Sequence, residues 1–299
     1  MLTPALHLAL EHAAQATLGH AWRIESATPV AGGDINTALK LAGPGGPLFV
    51  KLRPAGDLPM FEAEAAGLHA LSRCAALKVP AVIGLGCADE HAFLLLEWLE
   101  IAPLREEAEA RRAGEALAAL HHEFGEHFGW PLENFIGSTP QHNGETDNWS
   151  QFFVQKRLQP QFALAAASGF KGDLQRNAER IAEKAPALFL EYHPRPSLLH
   201  GDLWSGNLGA LPDGCPVLFD PACYYGDREA DVAMTELFGG LPMAFYAAYR
   251  SSWPLEEDYE RRKPLYNLYH ILNHLNLFGR GYLAQAERLA AQLARDLGR

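Results

Sequence analysis

Asp202 and Asn207 stand five positions apart in His200-Gly201-Asp202-Leu203-Trp204-Ser205-Gly206-Asn207, and a second carboxylate follows after a short hairpin in Asp220-Pro221-Ala222. Phosphoryl transfer needs this set of groups. Its transition state is loose and highly charged, so a protein contributes mainly by aligning the acceptor hydroxyl and holding Mg²⁺ against the phosphates. Asp202 fits the place beside the acceptor, and Asn207 with Asp220 forms a pair of hard oxygen ligands for the metal. Alone, an Asp and an Asn at this spacing are a weak signal, because both residues fill ordinary turns.

Upstream partners in the right order strengthen it. Lys51 closes the run Leu48-Phe49-Val50-Lys51-Leu52, where strand alternation aims it away from the neighbours of Phe49 and toward an interface between lobes. Glu64, on the following helix, is placed to pair with Lys51 and steady its ammonium against phosphates. Taken singly, an edge-strand lysine that blunts aggregation and a solvated helix glutamate are the plainer readings. Gly32 and Gly33, beside Asp34, let backbone N–H groups approach phosphate oxygens with no Cβ in the way. No Gly-Lys-Ser/Thr follows, so this is not a Walker A loop. Glu97, Trp98 and Leu99 offer backbone groups to an adenine; a buried strand running out into a linker would use the same apolar side chains, and both readings stand.

These residues require a scaffold. Leu6, Leu10, Ala14 and Leu18 at helical spacing, stopped by Gly19, predict an amphipathic first helix. Short β-branched and aromatic runs over 24–30, 37–41, 48–52, 82–85 and 93–98 predict a small antiparallel sheet, with Gly43-Pro44-Gly45-Gly46 as a hairpin turn. One helix, over 60–73, interrupts the strands. Beyond Leu99 the pattern turns helical, most clearly over 104–124, apart from strand-like pieces at 197–199 and 217–219. The fold class is α+β and bilobal: a nucleotide-binding lobe over 1–98 and a helical lobe over 99–299 carrying the catalytic and metal-binding loops.

Composition narrows the function class. The 299 residues, 48% of them hydrophobic, suffice for a large core. A net charge of −11 disfavours nucleic acid as a partner and suits a cationic ligand. Cys74, Cys87, Cys215 and Cys223 are widely spaced, which predicts reduced thiols rather than a disulfide framework. No membrane-length apolar span or signal peptide is evident, so a cytoplasmic protein with access to ATP is expected. Nothing in the sequence sets an oligomeric state.

With these residues in order, the chain resembles the protein-kinase-like superfamily, and within it the fructosamine (ketosamine) kinases. The Leu-Trp-Ser-Gly filling between Asp202 and Asn207, and the block Asp220-Pro-Ala-Cys-Tyr-Tyr-Gly-Asp-Arg-Glu-Ala-Asp-Val-Ala-Met234, look like that family's signatures. Phe128-Gly129-Trp130, Asn134 to Gly137, Trp149 to Leu158 and Phe61 to Glu64 extend the resemblance over nearly the whole chain. Choline and aminoglycoside kinases resemble it only through the shorter catalytic pattern. The resemblance implies an ATP-dependent ketosamine 3-kinase, using Mg²⁺ and acting on free or protein-linked ketosamines, whose unstable product sheds the sugar. It further implies Asp202 as base, Asn207 and Asp220 as metal ligands, and Lys51 with its partner Glu64 at the phosphates. The adenine hinge would span Glu97 to Leu99. Asp34 stands where some relatives carry cysteine, so a redox-active loop thiol is absent.

Three residues are candidates for acceptor recognition. The indole of Trp204 either walls the sugar site or fills the lobe beneath the loop. Tyr224 and Asp227 follow the metal-binding loop; Asp227 is placed either to meet a cationic amine or to cap a turn. Asp231 and Arg228 are expected to brace the catalytic loop, His200 to pack beneath it, and His270 and His274 to pack on a helix face. A kinase for another amino-alcohol or aminoglycoside is the rival reading. A silent pseudokinase scaffold is disfavoured because Lys51, Glu64, Asp202, Asn207 and Asp220 are all present.

Overall fold

In the computed structural model, which describes residues 2–30 and 37–298, the chain begins with α1 (Pro4–Leu18). Thr3 caps it by accepting the Leu6 N–H, and Gly19 ends it at φ 73°. The strands β1 (Ser26–Pro29), β2 (Thr37–Ala42), β3 (Leu48–Pro54), β4 (Val82–Ala88) and β5 (His91–Glu97) form one antiparallel sheet in the order β1-β2-β3-β5-β4. Helix α2 (Leu58–Leu71), with a proline in its first turn, joins β3 to β4. β4 runs past Gly86, where the glycines suggested it would stop, because pairing with β5 satisfies its backbone through Ala88.

Period-2 alternation divides the sheet between two cores. Val50, Leu52, Phe93 and Leu95 pack with Leu6, Leu10 and Ala14 of α1. Leu94 and Leu96 join Phe61 and Leu68 of α2 in the larger core that continues into the helices. α1 lies so close to the sheet that a Cβ on Gly84 would sit 2.8 Å from the Ala13 methyl. Lys51 falls on the α2 side. Phe49, two residues earlier, shares that face instead of opposing it, since residues two apart in a strand point the same way.

The remainder is helical with three short antiparallel ribbons. Helix α3 (Glu107–His121) opens with a capping box formed by Glu106 and Glu109. Next come β6 (Asn134–Ile136) paired with β7 (Thr139–Gln141), then α4 (Trp149–Phe152), a π-helical turn (Phe153–Leu158), α5 (Gln159–Ala167) and α6 (Asp173–Lys184). β8 (Ser197–Leu199) pairs with β11 (Tyr224–Gly226), and β9 (Leu208–Ala210) with β10 (Pro216–Leu218). Helices α7 (Glu229–Leu237), α8 (Met243–Ser252), α9 (Tyr259–Phe278) and α10 (Leu283–Asp296) complete the chain. α3 crosses α8 at Gly114, where a Cβ would lie 2.2 Å from the Phe245 carbonyl oxygen. The expected α+β kinase-like architecture is therefore present. The three-residue strands β6, β7, β9 and β11 escaped the sequence reading because each carries an Asn, Pro or Gly that reads as a turn. Among the described residues no helix is long and apolar enough to cross a membrane. The four cysteines are unpaired.

Candidate active site

A cavity of about 1520 Å³ lies between the sheet and the helices. Lys51, Glu64, Glu97, Trp98, Leu99, Asp202, Trp204, Asn207 and Asp220 all line it. These residues come from β3, α2, the end of β5, the catalytic loop and the segment after β10, so the fold gathers what the sequence scatters. Gly32, Gly33 and Asp34 lie outside the described residues.

Lys51 is buried, and its Nζ sits 2.6 Å from Glu64 Oε1 and 2.5 Å from Asp220 Oδ1. Burial alone would favour the neutral amine. The charges of Asp220 and Glu64 outweigh it and hold Lys51 cationic, above its ordinary pKa. The lysine thereby fixes the direction of Asp220, whose backbone is left-handed at φ 57°, a conformation that non-glycine residues adopt chiefly at constrained sites.

The loop that carries Asp202 is held from beneath by backbone hydrogen bonds. Asp231 of α7 accepts His200 N–H at 2.7 Å and Gly201 N–H at 2.9 Å, and lies 3.3 Å from His121 Nε2. Burial pushes the Asp231 carboxyl up, but the His121 hydrogen bond and the charges around it bring it below its usual value. His200 Nε2–H donates to the Phe219 carbonyl at 2.8 Å, which leaves Nδ1 to accept the Asp202 N–H at 3.3 Å. That tautomer is neutral, in keeping with burial lowering the His200 pKa. Gly201 is required here: at φ 82°, a Cβ would lie 2.1 Å from the Ala222 carbonyl oxygen.

Asn207 Nδ2 donates to the Asp202 carbonyl at 2.8 Å, which turns its Oδ1 the other way. Asn207 Oδ1 and the second oxygen of Asp220 are hard donors at the cavity wall, the kind Mg²⁺ takes alongside phosphate oxygens. Burial, reinforced by the charges of Asp220 and Asp231, pushes Asp202 up to about 7. An aspartate in water titrates near its reference value of about 3.9; the buried, acid-flanked setting moves Asp202 away from it. His270 Nδ1 stands 4.0 Å from Asp202 Oδ1 and has no hydrogen-bond partner. Burial drives its pKa down to about 3, so the ring is neutral.

Trp204 is 39% exposed on the cavity wall, and its ring occupies the space where a Cβ on Gly206 would stand. The small residue after Trp204 and Ser205 is thus what lets the indole lie down. Tyr224 and Asp227 do not face the cavity. Tyr224 is buried beneath the guanidinium of Arg157, 4.0 Å from its ring. Asp227 is fully buried and accepts Tyr266 O–H at 2.5 Å, Tyr192 O–H at 2.8 Å and Glu229 N–H at 3.0 Å. Three donors from within the protein already engage the Asp227 carboxylate, and neither residue lines the cavity. Arg228 likewise serves elsewhere: it donates to the carbonyls of Trp253 and Pro254, tying the start of α7 to the segment that ends α8.

At the end of β5, Glu97 pairs with Lys78 at 2.7 Å and accepts the Ala81 N–H. Its side chain therefore turns back along the sheet. Trp98 stacks under Lys40, 4.1 Å from the ring centroid.

A buried polar network fixes the backbone that follows Asp220. Gln141 Nε2 donates to the Ala222 carbonyl at 3.1 Å, Asn134 Nδ2 to the Cys223 carbonyl at 2.7 Å, and Tyr269 O–H to Gln141 Oε1 at 2.6 Å. Asn143 and the buried Arg157 extend it. Sequence reasoning noticed the Asn134 segment only as a resemblance, because contacts to distant carbonyls leave no local pattern. Gln141→Leu leaves a buried carbonyl and a tyrosine hydroxyl unpaired. It is expected to cost about 2 kcal/mol of stability and to lower kcat severalfold as Asp220 loosens, measured by thermal unfolding and steady-state assay.

A sheet and a helical body enclosing a lysine–glutamate pair, a loop aspartate and an Asn–Asp oxygen pair define the protein-kinase-like fold. At the level of fold, a solved Ralstonia eutropha chain carrying the name aminoglycoside phosphotransferase agrees, with a TM-score of 0.66 over 98% of this chain and 97% of that one at 16% identity. Within that class the chain belongs to the fructosamine kinase family, whose profile matches residues 7–296. A Synechocystis protein carrying the name "Probable ketoamine kinase" is 46% identical over 280 residues, 93% of this chain and 94% of its own. A solved Haemophilus somnus chain under the name fructosamine-3-kinase superposes with a TM-score of 0.87 at 29% identity, over 95% of this chain and 96% of that one.

Proposed function

We propose that this protein transfers the γ-phosphoryl group of ATP to the C3 hydroxyl of a ketosamine, marking glycated amines for loss of their sugar. The observation that carries the reading is the meeting of Lys51, Glu64 and Asp220 with Asp202 and Asn207 around one cleft, in a chain of this family. The Lys51 ammonium takes phosphate oxygens, Glu64 keeps it in place, and the backbone of Glu97 to Leu99 meets the adenine. Asn207 and Asp220 would hold Mg²⁺, which when bound neutralises phosphate charge. Asp202 orients the acceptor hydroxyl toward the phosphorus. The bond from phosphorus to the ADP oxygen breaks as the bond to O3 forms, and the hydroxyl proton passes to the Asp202 carboxylate. An aspartate raised toward neutrality accepts that proton more readily than one at its reference value. A cytoplasmic setting, where ATP is at hand, accords with this role.

The test is an acceptor panel of ribulosamine, fructosamine, choline and an aminoglycoside with Mg-ATP, the phosphate being located by NMR. Turnover of the ketosamines, with phosphate on C3, is expected. Phosphorylation of choline or the aminoglycoside alone would sink the proposal.

A further inference from the structure

Beyond Asp202 the cleft continues into an arm that the phosphoryl chemistry does not use. Its walls are Trp204, Phe238 from just after α7, His274 and Phe278 from the last turns of α9, and Tyr282 from the turn between α9 and α10. The five rings touch in series. Trp204 meets Phe238 edge-on with centroids 6.4 Å apart, Phe238 meets His274 at 4.7 Å, and His274 meets Phe278 at 5.5 Å and Tyr282 at 5.1 Å. His274 adds a ring rather than a charge: its Nδ1–H donates to the His270 carbonyl at 2.8 Å, and burial lowers its pKa.

Two properties of this arm indicate what it takes. Phe278 is 47% exposed and Trp204 39%, so large apolar surface stands in water at the mouth of a cleft, as it does where a ligand covers it. The second property is charge. Among the described lining residues Glu64 and Asp220 are engaged by Lys51, Glu97 ends β5 with Glu100 just after it, and Asp202 is the remaining carboxylate, in the loop that also carries Trp204. A polycationic acceptor needs several carboxylates, and this arm does not supply them.

Resting on the ketosamine reading, we infer that the arm is a subsite for an apolar, preferably aromatic, substituent on the acceptor's amine. With the nucleotide on the Lys51 side and the C3 hydroxyl at Asp202, the substituent on the far side of the amine extends away from the phosphates. The ring arm is the space that remains for it. The single ammonium of the amine lies over aromatic faces, which attract a cation without a carboxylate.

The experiment compares 1-deoxyfructose and 1-deoxyribulose acceptors whose 1-amino group carries methyl, hexyl or benzyl, with Mg-ATP, in the full-length protein. kcat/KM is expected to rise about tenfold or more from methyl to benzyl, the discrimination that a well-formed apolar pocket gives. In Phe278→Ala and Phe238→Ala the benzyl-to-methyl ratio is expected to fall to within about twofold, with Phe278→Leu between them and wild type. Because Phe278 is half exposed, its variants retain the fold, as thermal unfolding would verify. Equal kcat/KM along the series, or a benzyl preference that survives both alanine variants, overturns this inference while leaving the ketosamine reading intact. No turnover of any member overturns both.

Discussion

Asp202→Asn is expected to reduce kcat by about a thousandfold, within the range a positioned acid–base group contributes, while nucleotide affinity holds or improves. The substitution is nearly isosteric. The amide can still accept a hydrogen bond from the acceptor hydroxyl, but it cannot take the proton as the O3–P bond forms. Folding offers no alternative explanation for a loss, because Asp202 is held up near neutrality by burial and by the charges of Asp220 and Asp231. Removing that strained charge relieves repulsion, so the melting temperature should stay the same or rise. ADP release with a ketosamine, calorimetric titration with a non-hydrolysable ATP analogue, and thermal unfolding separate these effects. Activity within tenfold of wild type would refute the assignment of Asp202 as the base.

That Lys51, Glu64, Asp202 and Asn207 would meet around one cleft was legible because each sits in a short stretch with its own pattern: a lysine on a strand, a glutamate on the next helix, an Asp and an Asn in a polar loop. The sheet was legible as short β-branched and aromatic runs, but β3 and β5 are buried on both faces, so the sequence did not tell which core each residue joins. What escaped depends on long-range packing. Asp227 reads as a loop acid in sequence, and only the arrival of Tyr192 and Tyr266 from other elements shows that it is engaged within the protein. His121 carries no local signal in the sequence, yet it joins the Asp231 brace from a different helix. His270 and His274 read as a helix face. Their four-residue spacing was the available signal, but nothing in it said that one would approach Asp202 and the other line the cleft. The aromatic arm was equally hidden, since its rings come from three separate stretches and acquire meaning only when the α9–α10 turn brings Tyr282 against His274.

The Lys51 triad makes the second large prediction, in which activity and stability part company. Lys51→Met should lower kcat/KM by about a hundredfold or more, through the lost phosphate contact and the loosened Asp220. It should also destabilise the fold by about 3 kcal/mol, because removing one member of a buried ionic set leaves the others uncompensated. Glu64 suffers most, with its side chain largely enclosed, whereas Asp220 is more open to solvent. Lys51→Arg should restore little activity: a planar guanidinium does not fit where one compact ammonium reaches two carboxylates at 2.6 and 2.5 Å. The double variant Lys51→Met/Glu64→Leu is the informative control. Replacing both buried partners by apolar groups of similar size removes the unpaired charge, so stability should recover by most of what the single variant lost. Activity should not recover, because Asp220 still lacks its cation and the phosphates still lack theirs. Denaturant unfolding and steady-state kinetics on the three variants decide it. Recovery of activity along with stability would mean that Lys51 serves only to neutralise Glu64.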